Sequence, residues 1–233
     1  MNSVKVIVMS REFIPALRFH WLTGLYDPII ALTTRESVFK DRLIELANFR
    51  YGARVLDVGC GTGTLAIRLK QKRDDVVVSG IDGDNAVLAR AKKKAAKFGV
   101  NIQFDQGLSF ALPYADATYD QIVSTLFFHH LLWDDKIATL KEALRVLKPG
   151  GHLHIADWGK ATSPMMRILF YGVQLLDGFK TTADNVEGRL PEAMRRLALL
   201  ISLPVKKYQP CSEHWLCIKL LSFRQLSNSS TWT

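Results

Sequence analysis

One stretch, Val55-Leu56-Asp57-Val58-Gly59-Cys60-Gly61-Thr62-Gly63, constrains this 233-residue chain more than any other. Val55, Leu56 and Val58 make an apolar run suited to a strand covered on both faces, and such strands belong to parallel sheets. The run passes straight into a loop with glycine at 59, 61 and 63. Residues without a Cβ take positive φ freely and let the main chain come close to a ligand. Open α/β sheets bind their ligands at the carboxyl ends of such strands.

The spacing also speaks to the ligand. The dinucleotide fingerprint is Gly-x-Gly-x-x-Gly, with a helix N-terminus turned toward a pyrophosphate. Here the third glycine comes one residue early, and Asp57 stands two residues ahead of the first. A carboxylate there repels a pyrophosphate and suits a ligand carrying an ammonium and a sulfonium. A second apolar run, Val76 to Ile81, ends in Asp82. An acid about 20 residues past the glycines is placed to accept hydrogen bonds from ribose hydroxyls.

These residues resemble a class I S-adenosylmethionine-dependent methyltransferase. Val55 to Gly63 is similar to that family's first motif, and Gly80-Ile81-Asp82 to its ribose-binding acid. Tyr119-Asp120-Gln121-Ile122-Val123-Ser124 is similar to its fourth strand, and Leu147-Lys148-Pro149-Gly150-Gly151-His152-Leu153 to the turn into its fifth. Four motifs in order are far more specific than one. Phe127-Phe128-His129-His130-Leu131 resembles the small-molecule branch, which includes the ubiquinone and menaquinone C-methyltransferases. The resemblance implies S-adenosyl-L-methionine as cofactor, held by Asp57, Gly59, Cys60, Gly61, Thr62, Gly63, Asp82, Gly83, Gln106, Gly107, Leu108, Thr125, Leu126 and Tyr26. One departure stands out: the family usually carries Gly-Asp-Ala after its third strand, and here the stretch is Gln106-Gly107-Leu108-Ser109. Adenine recognition then falls to backbone groups around Gly107 and Leu108, or to Gln106 and Ser109.

Along the chain, apolar runs alternate with helical patterns, which argues for a doubly wound sheet. The expected fold is α/β and Rossmann-like, with seven strands, mostly parallel, an antiparallel C-terminal strand, and helices on both faces. Helices are expected near Arg35 to Asn48, from about Thr62, and from Asp84 or Asn85 to Gly99. Val100 to Phe104 reads as the third strand. Ile137, Leu140, Leu144 and Leu147 make the stripe of a helix packed on a sheet, and His152 to Asp157 reads as the fifth strand. One domain is expected, divided into a cap region at 1–49, a cofactor-binding core at 50–158, an acceptor-side insertion at 159–190 and a closing segment at 191–233. Phe13 to Thr34 and Lys160 to Gly188, rich in large apolar side chains, either cover the pocket or pack on the sheet.

Cysteines at 60, 211 and 217 make no disulfide framework and show no metal-ligand spacing, which points to a reducing cytoplasm. No secretory leader is expected at residues 1–10. Pro164 to Leu176 is too short for a membrane span and contains Arg167. A net charge of +9 raises the question of nucleic acid. Arg90, Lys92, Lys93, Lys94 and Lys97 cluster opposite Leu88, Ala91, Ala95 and Phe98, the arrangement of a solvated helix face, so a nucleic-acid partner is not expected.

Methyl transfer is an in-line displacement, so the protein mainly holds the acceptor atom and excludes water. A general base is needed only where the acceptor must lose a proton. His129 and His130 are the candidates, beside the methyl group by the resemblance, and imidazole accepts a proton near neutral pH. Asp157 either polarises an acceptor or caps a turn, and His152 and His154 share a strand face in structural roles. The acceptor is expected to be small and apolar, because no Asn or Asp followed by Pro-Pro-Tyr and no cytosine-type cysteine nucleophile is present. The alternatives are an RNA or protein methyltransferase, a non-catalytic S-adenosylmethionine-binding protein, and a nicotinamide oxidoreductase, the last disfavoured by Asp57.

Overall fold

The computed structural model describes residues 36–159, 167–168, 171, 174, 179–200, 205–207 and 218–224. Its first helix, α1 (Glu36–Ala47), lays Phe39, Leu43, Ile44 and Ala47 against the sheet. It closes at Asn48, in the left-handed region at φ 44°. The strand β1 (Arg54–Val58) follows, then α2 (Thr64–Lys72), whose N-cap is Gly63 at φ 73°. Next come β2 (Val77–Asp82) and α3 (Asn85–Lys97). The Asp84 side chain caps α3, accepting from the amides of Ala86 and Val87, which satisfies two N–H groups that a helix start leaves open. Gly99, at φ 65°, turns the chain away.

The strand β3 (Gln103–Gln106) begins later than the apolar pattern suggests, because Val100 still donates to the Ala95 carbonyl and belongs to the helix exit. Its end therefore reaches Gln106, which pairs with Asp82. Beyond it lie β4 (Tyr119–Thr125), a short 3-10 turn (Phe128–His130) and α4 (Trp133–Val146). The strand β5 (Leu147–Trp158) includes Pro149 to Gly151, and its register with β4 shifts there, from Tyr119 opposite Leu147 to Gln121 opposite His152. A Cβ at Gly151 would lie 2.7 Å from the Asp120 carbonyl. Two further helices follow, α5 (Phe179–Glu187) and α6 (Arg189–Leu200).

β1 to β5 form a parallel sheet in the order β3-β2-β1-β4-β5. The order reverses between β1 and β4, and at such a switch point the loops part and leave a crevice. Alternating side chains split the core: Val55, Val78, Val123 and Ala156 face α1, α2 and α3, while Leu56, Ile122, Leu153 and Ile155 face α4 and α6. Arg90, Lys92, Lys93 and Lys97 on α3 are exposed, with Leu88, Ala91 and Ala95 buried beneath, whereas Lys94 is half-buried and donates to the Thr64 hydroxyl at 2.7 Å. Phe98 departs from that pattern and is 49% exposed, since it caps the helix after the last inward-facing turn. No helix among the described residues is long and apolar enough to cross a membrane.

Candidate functional site

The glycine loop leaves β1 at the switch point. Gly59 and Cys60 both donate to the Ile81 carbonyl, at 2.9 and 3.0 Å, which ties the loop to the end of β2. Gly59, Gly61 and Gly63 all have positive φ, but for different reasons. A Cβ at Gly59 would sit 2.1 Å from the Phe127 ring and one at Gly63 2.9 Å from Phe104, whereas one at Gly61 would meet nothing within 4 Å. The outer two glycines serve packing. Gly61 leaves the crevice open.

Asp82 stands beside it. One of its oxygens accepts from the Gly61 amide at 2.9 Å and the other from Asp84 at 3.0 Å. Each oxygen keeps a lone pair for a further donor. Burial raises this carboxyl above its usual range, against the pull of those amides. Asp57 is the more extreme case: it is 1% exposed and neither oxygen has a hydrogen-bond partner. The Ala66 amide points its way without closing a bond. Burial pushes the Asp57 carboxyl up to about 7, with Lys40 opposing and Asp82 adding. A buried carboxylate without a donor is costly unless a cation meets it. Lys40, buried on α1, is ion-paired with Glu36.

Around the end of β3, Gln106 takes a hydrogen bond from Asn85 at 2.8 Å and gives one to the Gly83 carbonyl at 3.2 Å. Gly107 donates to the Asp82 carbonyl at 3.0 Å. Ser109 does not join them: its hydroxyl is buried against Thr139 of α4 at 2.8 Å, which removes it from the adenine candidates. Asp105 is held by the Tyr114 hydroxyl at 2.9 Å. Tyr26 lies outside the described residues.

Across the crevice, β4 ends at Thr125, and Leu126 follows at φ 50°, a left-handed conformation costly for a leucine. The chain then makes the 3-10 turn, and Asp157 at the end of β5 organises it. One Asp157 oxygen accepts from the amides of Phe127 and Phe128 at 3.1 and 2.7 Å. The other accepts from the Trp158 amide at 2.7 Å, His129 Nδ1 at 2.8 Å and Asn185 Nδ2 at 3.2 Å. A carboxylate only accepts, so His129 presents Nδ1–H to it and keeps Nε2 as its basic atom. The His130 ring lies against that of His129, 4.0 Å between centroids and tilted by 42°. Burial, then His129 and Lys136, hold His130 well below the ordinary imidazole range, so it is neutral at neutral pH.

Four residues of this cluster, Lys136, Asp184, Asn185 and Arg189, escaped the sequence reading. Lys136 on α4 is fully buried, with its ammonium 2.8 Å from the Thr181 carbonyl and 3.4 Å from Asp184. Asp184 is bridged in turn by Arg189 at 2.5 Å. Asn185 donates to the Trp158 carbonyl at 3.0 Å as well as to Asp157. A lysine in phase with Leu140, Ala143 and Leu147 was the available signal for Lys136. Burial lowers the Lys136 pKa, opposed by Asp184 and then Asp157. His152 and His154 stack at 5.9 Å within β5, where burial, then His152, brings His154 down to about 3. Among the described residues, no group of three or more His, Cys, Asp or Glu side chains is placed to hold a metal.

Residues 55–151 match a family model described as a methyltransferase domain. The chain is 36% identical over 126 residues to 27-O-demethylrifamycin SV methyltransferase of Amycolatopsis mediterranei, covering 53% of this chain and 45% of that one. It is 32% identical over 141 residues to the ubiquinone/menaquinone biosynthesis C-methyltransferase UbiE of Bdellovibrio bacteriovorus, covering 60% and 59%. The chain thus spans about half the length of the curated relatives it matches. Among solved structures it resembles a SAM-dependent methyltransferase from Aquifex aeolicus, with a TM-score of 0.61 over 91% of this chain and 99% of that one at 21% identity, a likeness of fold.

Proposed function

We propose, from the likeness of residues 55–151 to a methyltransferase domain, that this chain is a class I S-adenosylmethionine-dependent methyltransferase that transfers a methyl group to a small, apolar organic acceptor by in-line displacement. The observation that carries the reading is the meeting of two sets at one sheet switch point: Asp57, Gly61 and Asp82 on one side, His129 held by Asp157 on the other.

The crevice residues fit the cofactor. Asp57, a buried acid with two unpartnered oxygens, suits an ammonium, and the bare Gly61 gives a nucleoside room to approach. Asp82 receives ribose hydroxyls, and the main chain of Gly59 to Gly63 lines the approach with Cys60 and Thr62. Gly83, Gln106, Gly107 and Leu108 would hold the base, and Thr125 and Leu126 would complete the set that holds the cofactor. Bound there, S-adenosylmethionine supplies a methyl carbon activated by a sulfonium. His129 Nε2 takes a proton from the acceptor where one must leave, and Asp157 steadies the imidazolium that results. His130, neutral and adjacent, orients the acceptor. The RNA or protein alternative gains no support from α3, where Arg90, Lys92, Lys93 and Lys97 lie on a solvated face and Lys94 is tied to Thr64.

The finer architecture belongs to the same reading. A seven-stranded sheet is supported by Val205–Lys207 and Ile218–Arg224, the latter antiparallel to β5 with His152 opposite Arg224 and Trp158 opposite Ile218. The single domain keeps its four parts, 1–49, 50–158, 159–190 and 191–233. A cytoplasmic setting is supported by the buried free thiol of Cys60.

Calorimetric titration with S-adenosylmethionine tests the cofactor site. Asp82→Ala weakens binding by ~1 to 3 kcal/mol, the scale of a charge-assisted hydrogen bond; unchanged affinity refutes the ribose assignment. Mass spectrometry of an acceptor panel incubated with methyl-labelled cofactor tests the transfer itself.

A further inference from the structure

Asn185 is 1% exposed, and its amide is oriented without ambiguity. Nδ2 faces two acceptors, Asp157 at 3.2 Å and the Trp158 carbonyl at 3.0 Å, so the nitrogen must be there and the oxygen must point elsewhere. That oxygen has no hydrogen-bond partner. Leaving a buried acceptor unsatisfied costs about 1–3 kcal/mol, and buried polar atoms in folded proteins are nearly all partnered.

Among the described residues, the position of this oxygen separates it from two other unpartnered atoms within the sheet. The acceptor oxygen of Gln121 and Nε2 of His154 lie within β4 and β5, before the strands reach the crevice. Asn185 sits past the carboxyl end of β5, on α5. It shares a single Asp157 oxygen with His129, so amide and imidazole are neighbours converging on one point. Lys136, Asp184 and Arg189 fasten the same helix from the other side through Thr181 and Asp184, which fixes where the amide stands.

We propose that Asn185 determines acceptor specificity: its Oδ1 receives a hydrogen bond from a hydroxyl that neighbours the methylated atom. The acceptor class is therefore a small organic compound with a hydrogen-bond donor adjacent to the methylated atom. A ligand group that satisfies a buried acceptor gains over an analogue lacking it, because the analogue leaves the oxygen unpaired. The inference rests on the reading that His129 faces the acceptor.

The test uses the full chain, methyl-labelled S-adenosylmethionine, and two series of probes: ortho-dihydroxybenzenes and ortho-dihydroxynaphthalenes, and the same compounds with one hydroxyl masked as its methyl ether. Wild type turns over the free diols at least ~100-fold better in kcat/KM, the scale of leaving one buried acceptor unpaired. Asn185→Leu reduces that preference to less than about tenfold. Asn185→Ala, which removes the oxygen without adding bulk, carries the same test if the leucine variant does not fold by circular dichroism. A preference that survives both substitutions, or equal handling of the two series by wild type, overturns the proposal. His129→Gln separates the two readings. It lowers turnover of both series while keeping their ratio, and if it leaves the rates intact while Asn185→Leu erases the ratio, only the base assignment falls.

Discussion

Asp57 shows how one buried side chain can trade stability for binding. Burial pushes its carboxyl up to about 7 in the folded protein, from an ordinary 3.8. Between those values the folded state binds a proton that the unfolded state releases, so this group's contribution to stability falls as pH rises through that window. An ammonium ligand needs the ionised form. Cofactor affinity therefore increases as the pH passes about 7, which calorimetry from about pH 6 to about pH 8 reads directly. A flat affinity profile breaks the pairing of Asp57 with the ammonium. Asp57→Asn removes the buried charge, so it raises Tm at pH 8 while weakening cofactor binding, a stability gain bought at a functional site. The sequence singled out Asp57, Asp82 and His129 by motif and spacing, and the fold brings them to the carboxyl ends of the strands. It gave no sign of Asn185, whose role follows from a contact across 28 residues of chain.

The glycine loop and α5 behave differently as elements. Gly59→Ala drives a methyl into the Phe127 ring at 2.1 Å, so it destabilises the whole fold and lowers Tm. Gly61→Val meets no neighbour, and its cost to folding is the left-handed backbone, about 1–2 kcal/mol. That variant folds yet loses cofactor binding in titration, because its side chain fills the approach; an intact dissociation constant in a folded protein counts against the loop. On α5, the docking seam is polar and buried rather than apolar. Lys136→Ala leaves a cavity and frees the Thr181 carbonyl and part of Asp184, for a loss of ~3 kcal/mol in urea denaturation. Lys136→Met keeps the volume and costs less. Glycine spacing announces a loop because only glycine fits there, whereas a lysine in a helical stripe reads as a solvated residue until its partner is known.

For the whole molecule, cofactor binding and folding are linked. A ligand at 100 times its dissociation constant stabilises the folded state by about 2.7 kcal/mol, which for a chain of this size raises Tm by roughly 5–10 °C. Thermal melts with S-adenosylmethionine and with NADH separate the readings: a shift with NADH alone favours the oxidoreductase alternative. The parallel sheet, its switch point and the ligand end of its strands were legible because they follow from local rules, apolar runs alternating with amphipathic helices and glycines that no other residue can replace. Strand limits shifted by a few residues at β3 and β5, where helix exit and a register shift compete with apolar pattern. Two things came from tertiary structure alone: the burial that moves Asp57, and the five donors that gather Asp157, His129 and Asn185 into one cluster. Pattern along a chain encodes which face of an element turns inward; only packing brings residues from different elements within hydrogen-bonding distance and strips them of water, and that sets their chemistry.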